Sequence, residues 1–148
     1  MRILLNDVTT TPLEPPNFEI LAKERIGKYT YPHDAPAKQA SLYPDLQPFP
    51  LPAVAKGEAF SRIEKTVLEM GWQLKNKDRE KSKLEAVAVT RILRFRDDIV
   101  IELRERKGGW AVHMRSKSRL GRDDFGANAK RIRGFFEKLS FYFPKESA

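Results

Sequence analysis

The densest set of residues able to do chemistry lies between Arg115 and Arg131. Arg115, Ser116, Lys117, Ser118, Arg119 and Arg122 place four cations and two hydroxyls ahead of an expected helix start, whose free backbone N–H groups attract negative charge. This basic loop is the candidate anion site, able to cradle a phosphate or a carboxylate. A structural reading competes with it. In that reading Arg119 and Arg131 pair with Asp97 and Asp98, and Asp123 or Asp124 occupies the positive helix end. Asp97, Asp98, Asp124, Asn128 and Arg131 then form an internal polar network. Within it Asp98 is expected to pair with Arg115 or Arg119 across neighbouring strands or their connecting ends.

The same aspartates suggest a second chemistry. Asp97 with Asp98, and Asp123 with Asp124, would serve acid–base work or hold a hard cation if they converged in a pocket. A hydrolase or metal-dependent enzyme is therefore the alternative function. Adjacent aspartates at turns more commonly bond local backbone N–H groups, and no nucleophile, base and orienting group can be named together, so no catalytic residue is assigned. His113 falls on the strand face opposite Ser116 and Ser118, which argues against a triad and leaves it a surface strand residue.

Composition narrows the classes further. With no cysteine, the chain cannot form a disulfide, a thiolate metal site or a cysteine nucleophile. Its two histidines, His33 and His113, stand far apart, so neither a metal nor a cofactor is expected. The net charge of +8 is unevenly placed: residues 1–50 carry five Lys or Arg against six Asp or Glu, so the positive excess lies entirely beyond residue 50. Such an excess gathers anions, and an acidic lipid or an envelope component is the partner class it suggests. Nucleic acid is disfavoured. Arg91, Arg94, Arg96, Arg104 and Arg106 are interleaved with Asp97, Asp98, Glu102 and Glu105, and no row of alternating aromatics offers a stacking platform.

The elements that position these residues follow from periodicity. Phe60, Ile63, Val67 and Met70 recur at helical spacing and end at Gly71. Trp72–Lys75 begins a strand, and the polar run Asn76–Lys83 reads as a connection. Leu84, Ala86 and Ala88 alternate with Glu85, Val87 and Val89 in a strand buried on both faces over part of its length. After a turn at Phe95–Asp97, Ile99, Ile101 and Leu103 oppose Glu102 and Arg104. Lys107–Gly109 turns the chain into a strand of alternating Trp110, Val112 and Met114. Ile132, Phe135, Phe136 and Leu139 stripe a closing helix that Pro144 stops. The first 40 residues, rich in proline, read as an extended arm packed along a single domain at 41–148 through Phe18, Leu21, Tyr29 and Tyr31, with a short edge strand near Leu46–Phe49. The expected fold is α+β: a two-layer sandwich with a twisted antiparallel sheet of four to five strands and two helices on one face.

Several of these segments belong together. The opening run Asn6–Pro12 with Pro15–Pro16, Tyr43–Pro44–Asp45, Gly71–Trp72, Phe95–Asp98, and Arg115–Asn128 with Arg131–Ile132 resemble the bacterial family of domain of unknown function 1499 over nearly the whole chain. The resemblance implies export, because family members often carry a membrane segment or export signal before the Asn-Asp-x-Thr-Thr run. Periplasmic or membrane-tethered placement is then expected, with cytoplasmic placement as the alternative, since no such segment stands in this sequence. The expected function is a non-catalytic binding or interaction module of the cell envelope, engaging an anionic lipid, glycan or partner protein through the basic loop.

Overall fold

The computed structural model describes residues 2–144. In chain order the elements are β1 (Asp7–Thr9), α1 (Ile20–Glu24), α2 (Ala35–Leu42), β2 (Phe49–Pro50), α3 (Lys56–Glu69), β3 (Gln73–Asp78), β4 (Lys83–Val89), β5 (Arg96–Arg106), β6 (Gly109–Ser118) and α4 (Ala127–Ser140). The fold is α+β, with a six-stranded antiparallel sheet ordered β1-β6-β5-β4-β3. Strand β2 pairs with the same edge of β6 as β1, placing Phe49 opposite Val112 while Thr9 lies opposite Arg115. Pro12 and Pro15 beyond β1, and Pro48, Pro50 and Pro52 around β2, lack the N–H that a longer ladder needs, so both edge strands are short.

The β3–β6 meander follows the expected alternation. Leu84 lies opposite Ile101 and Ile101 opposite Met114, so Leu84, Ala86, Ile99, Ile101, Leu103, Val112 and Met114 share one face. That face packs on Ala59, Phe60, Ile63 and Val67 of α3 and on Ala129, Ile132, Phe135 and Leu139 of α4. Spacings of three and four put each set on one helical stripe. Trp72 stacks on Phe135 with ring centroids 5.4 Å apart, which seats the start of the meander under α4. Burying side chains of this size contributes about 1.5–3 kcal/mol each, enough to fix the register. The two-residue turn between β5 and β6 needs a left-handed residue, and Gly108 at φ +85° supplies it.

The structure departs from expectation in several places. The described residues form six strands instead of four or five, and four helices instead of two. The first 40 residues hold β1, α1 and the start of α2, and β1 is hydrogen-bonded into the same sheet as the rest of the chain. Pro36 sits in the first turn of α2, the one helical position where its missing N–H costs nothing. Strand β3 runs to Asp78 where a polar connection was expected, because an edge strand needs only one buried face and its exposure alternates accordingly. On the second face of the sheet, Val87 and Val100 form a small apolar cluster with Phe18, Leu21 and Tyr29.

Candidate functional site

Strand β6 decides the fate of the basic run, because successive side chains point to opposite faces. Arg115 and Arg119 lie on the face that residues 16–31 cover, Lys117 shares it and approaches Asp7, and Ser116 and Ser118 face α4. The six residues of the expected anion loop therefore do not converge on one open space.

Arg115 is 1% exposed. Its guanidinium donates from Nε to Oδ1 of Asp7 at 2.9 Å and from Nη2 to Oδ2 of Asp7 at 2.8 Å, a bidentate pair. Further bonds reach the carbonyls of Pro16 (3.1 Å) and Tyr29 (2.8 Å). The rings of Phe18 and Tyr31 lie 4.9 Å and 5.3 Å from the guanidinium carbon, adding cation–π attraction. Lys117 Nζ lies 3.8 Å from the same Asp7 carboxylate.

Asp98, fully buried, is the second hub. It accepts from Arg119 Nε (3.0 Å) and Nη2 (2.8 Å), from Tyr29 Oη (2.6 Å) and from Arg25 Nη1 (3.1 Å). Of the two expected partners, Arg119 is the one that pairs with Asp98, and Arg115 goes to Asp7. Burial, with help from the Asp98 hydrogen bond, pushes the Tyr29 phenol up to about 12. Asp98 in turn holds the Arg119 guanidinium above its ordinary value. A third acid buried on this face, Glu85, accepts the backbone N–H groups of Glu19 (2.8 Å), Ile20 (2.9 Å) and Leu21 (3.3 Å), together with Asn76 Nδ2 (2.8 Å). Asp7, Glu85 and Asp98 thus fasten the N-terminal residues to the second face of the sheet.

The α4 side holds a separate network. Ser116 Oγ donates to Asn128 Oδ1 at 2.6 Å, and Asn128 Nδ2 donates to Ser118 Oγ (2.9 Å) and Asp124 Oδ2 (2.7 Å). Arg131 Nη1 meets Asp97 Oδ2 at 2.8 Å and Asn128 Oδ1 at 2.9 Å. Asp124 accepts the N–H groups of Gly126 (2.8 Å) and Asn128 (3.2 Å), so of the two expected capping aspartates it is the one serving the first turn of α4. Asp123 instead pairs with Arg2 at 2.7 Å. A hollow of about 280 Å³ opens above this network, lined by the apolar Phe95, Leu120 and Phe125 and by Asp97, Asp123 and Asp124, whose carboxylates are already engaged by Arg131, Arg2 and the first turn of α4.

Paired carboxylates free for acid–base work are therefore not what this geometry offers, since each of the four aspartates meets an arginine or a helix N–H group. Among the described residues no three His, Asp or Glu side chains converge where a cation could be held. His113 corrects the expectation of a surface residue. It is half-buried, with Nδ1 2.6 Å from Thr11 Oγ1, and burial followed by the nearby Arg104 charge pushes it down to about 4. Arg122, by contrast, is exposed, as are Arg91, Arg94 and Arg96 on and beside the β4–β5 turn. Among the described residues none of these four has an ion-pair partner. Sequence reasoning passed over Asp7, Arg25 and Glu85 as site residues. For Glu85 a signal existed: a lone acid inside the apolar run Leu84–Val89 demands a buried partner.

Six antiparallel strands, a helical face and a charge-fastened second face define an α+β domain whose polar network is built from residues distant in sequence. The model of the family described as protein of unknown function (DUF1499) matches residues 7–139, and the chain belongs to that family. The match opens at Asp7, the acid that closes on Arg115, and ends at Leu139 in the buried stripe of α4. No curated protein matches the chain. Among the described residues no helix is long and apolar enough to cross a membrane.

Proposed function

We propose that this protein is a non-catalytic binding module of the bacterial cell envelope, periplasmic or membrane-tethered, that engages an anionic surface through exposed arginines. One observation carries the reading. The groups best suited to chemistry are bound to one another inside the fold, whereas Arg91, Arg94, Arg96 and Arg122 stand exposed without an ion-pair partner among the described residues. Exposed, unpaired guanidinium groups add little to folding and keep their full capacity for phosphate. Envelope placement draws on the family resemblance, whose members often carry an export signal or membrane segment. The binding module is favoured over an enzyme built on the aspartates because each of them is engaged by an arginine or a helix N–H group. Nucleic acid fits less well, because both central sheet faces are covered and leave no aromatic platform.

Co-sedimentation with phosphatidylglycerol-containing vesicles, against phosphatidylcholine alone, tests the proposal. Binding is expected to the acidic vesicles only and to weaken as salt rises from low ionic strength, because screening shortens the reach of exposed charge. Equal binding to neutral vesicles, or none to acidic vesicles at low salt, overturns it.

A further inference from the structure

The end of the sheet that carries the unpaired arginines also carries apolar side chains. Strand β4 passes to β5 through Thr90–Phe95, closed by Thr90 N to Phe95 O (2.8 Å), Arg94 N to Thr90 O (3.1 Å) and Phe95 N to Thr90 Oγ1 (2.8 Å). Strand β6 passes to α4 through Arg119–Gly126. The two connections lie side by side: Arg119 N donates to Arg96 O at 3.1 Å, and Phe95, Leu120 and Phe125 line one hollow that Asp97, paired with Arg131, also lines together with Asp123 and Asp124. Ile92 is 91% exposed, Leu93 67%, Phe95 45%, Leu120 68% and Phe125 79%.

Single exposed apolar residues need no explanation, but a cluster of large ones at one end of a domain marks an interaction surface. The order Arg91-Ile92-Leu93-Arg94-Phe95-Arg96 places a cation beside every apolar group and contains no acid. Of the two acids in the neighbouring loop, Asp123 is held by Arg2 and Asp124 by the first turn of α4. Charge complementarity selects the occupant. A second copy of this end would bring arginine against arginine, whereas an acidic bilayer offers phosphates at the level of the guanidinium groups and an acyl boundary just beneath them. Apolar insertion alone, or basic charge alone, gives weak and reversible attachment, and the two signals together give a stable one.

We propose that the loops Thr90–Phe95 and Arg119–Gly126 dock this protein on an anionic lipid bilayer. Ile92, Leu93, Phe95, Leu120 and Phe125 enter the headgroup–acyl boundary, and Arg91, Arg94, Arg96 and Arg122 meet lipid phosphates. This rests on the reading that the module engages an anionic surface, and adds the side chains and the depth at which they do so.

The absence of cysteine makes the test direct, since one introduced cysteine takes a label at a single position. The full chain carrying Leu93→Cys, labelled with an environment-sensitive nitrobenzoxadiazole probe, is mixed with phosphatidylglycerol/phosphatidylcholine vesicles. Ile92→Cys repeats the measurement, and Phe141→Cys, exposed at the far end of α4 and roughly 20 Å away along the helix, is the control. The labels at 92 and 93 are expected to shift to the blue and to be quenched by nitroxide-bearing lipid, while the label at 141 keeps its aqueous spectrum. Vesicle binding by the parent with aqueous spectra at 92 and 93 overturns this docking surface and leaves the general reading standing. No binding of the parent to acidic vesicles removes both. A blue shift on raising protein concentration without lipid assigns the surface to a second copy, and overturns the lipid proposal.

Discussion

Arg115 and Arg94 carry the same guanidinium group into opposite circumstances. Arg115 lies on a central strand, and the chain returns there with Asp7, two carbonyls and two aromatic rings. Arg94 lies in a turn beyond the sheet and meets none of these. A buried cation is tolerable only when paired and hydrogen-bonded, whereas an exposed one makes no such demand. Position relative to the sheet, and not residue type, therefore divides the positive charge between holding the fold together and facing outward. The basic run Arg115–Arg122 straddles that divide, with Arg115 at its internal end and Arg122 at its open one.

The sharpest way to break the comparison is to remove an internal partner. Asp7→Asn leaves Arg115 charged, buried and without its acid, so a loss of about 3–5 kcal/mol is expected by denaturant unfolding. Asp98→Asn should cost less, about 1.5–3 kcal/mol, because Arg119 and Arg25 are partly exposed and regain water when released. If both variants unfold at the parent's midpoint, the internal network is not what fastens the N-terminal residues.

A smaller effect is expected from pH. His113 sits near 4 in the fold against an ordinary value near 6.5, so the unfolded chain takes up its proton first as pH falls. Its contribution to stability is therefore present above about pH 6.5 and is lost as the pH drops toward 4. Thermal melts across that window should fall less steeply in His113→Gln than in the parent. Identical slopes would mean that His113 is not held neutral by its surroundings.

Where local pattern carries the information, the fold was legible. Ile99, Ile101 and Leu103 against Glu102 and Arg104 define β5 by period two, and the stripes of α3 and α4 are ordinary amphipathic helices. Pairing of Asp98 with Arg119 was also legible, since one begins a strand and the other follows its neighbour. Asp7 with Arg115 was not: the two are 108 residues apart, and β1 is three residues long, too short to show a period. Helix α2 was hidden because the proline-rich first 40 residues read as extended, although Pro36 among them occupies a first-turn position. The open end was missed for a related reason. The turn was expected at Phe95–Asp97, whereas the structure closes it over Thr90–Phe95 and begins β5 at Arg96, which carries Arg91 and Arg94 clear of the sheet.

The measurement that bears most directly on this division is acidic-vesicle binding by the triple variant Arg91→Gln, Arg94→Gln, Arg122→Gln, with its melting temperature taken alongside. Exposed charges contribute little to folding, so the melting temperature should match the parent's. Each arginine near an anionic surface is worth about 1 kcal/mol, so binding should weaken roughly fivefold for each replacement. Parent-like vesicle binding by a variant that melts like the parent would contradict the account, by showing that the exposed arginines at this end are not the charges that face the surface.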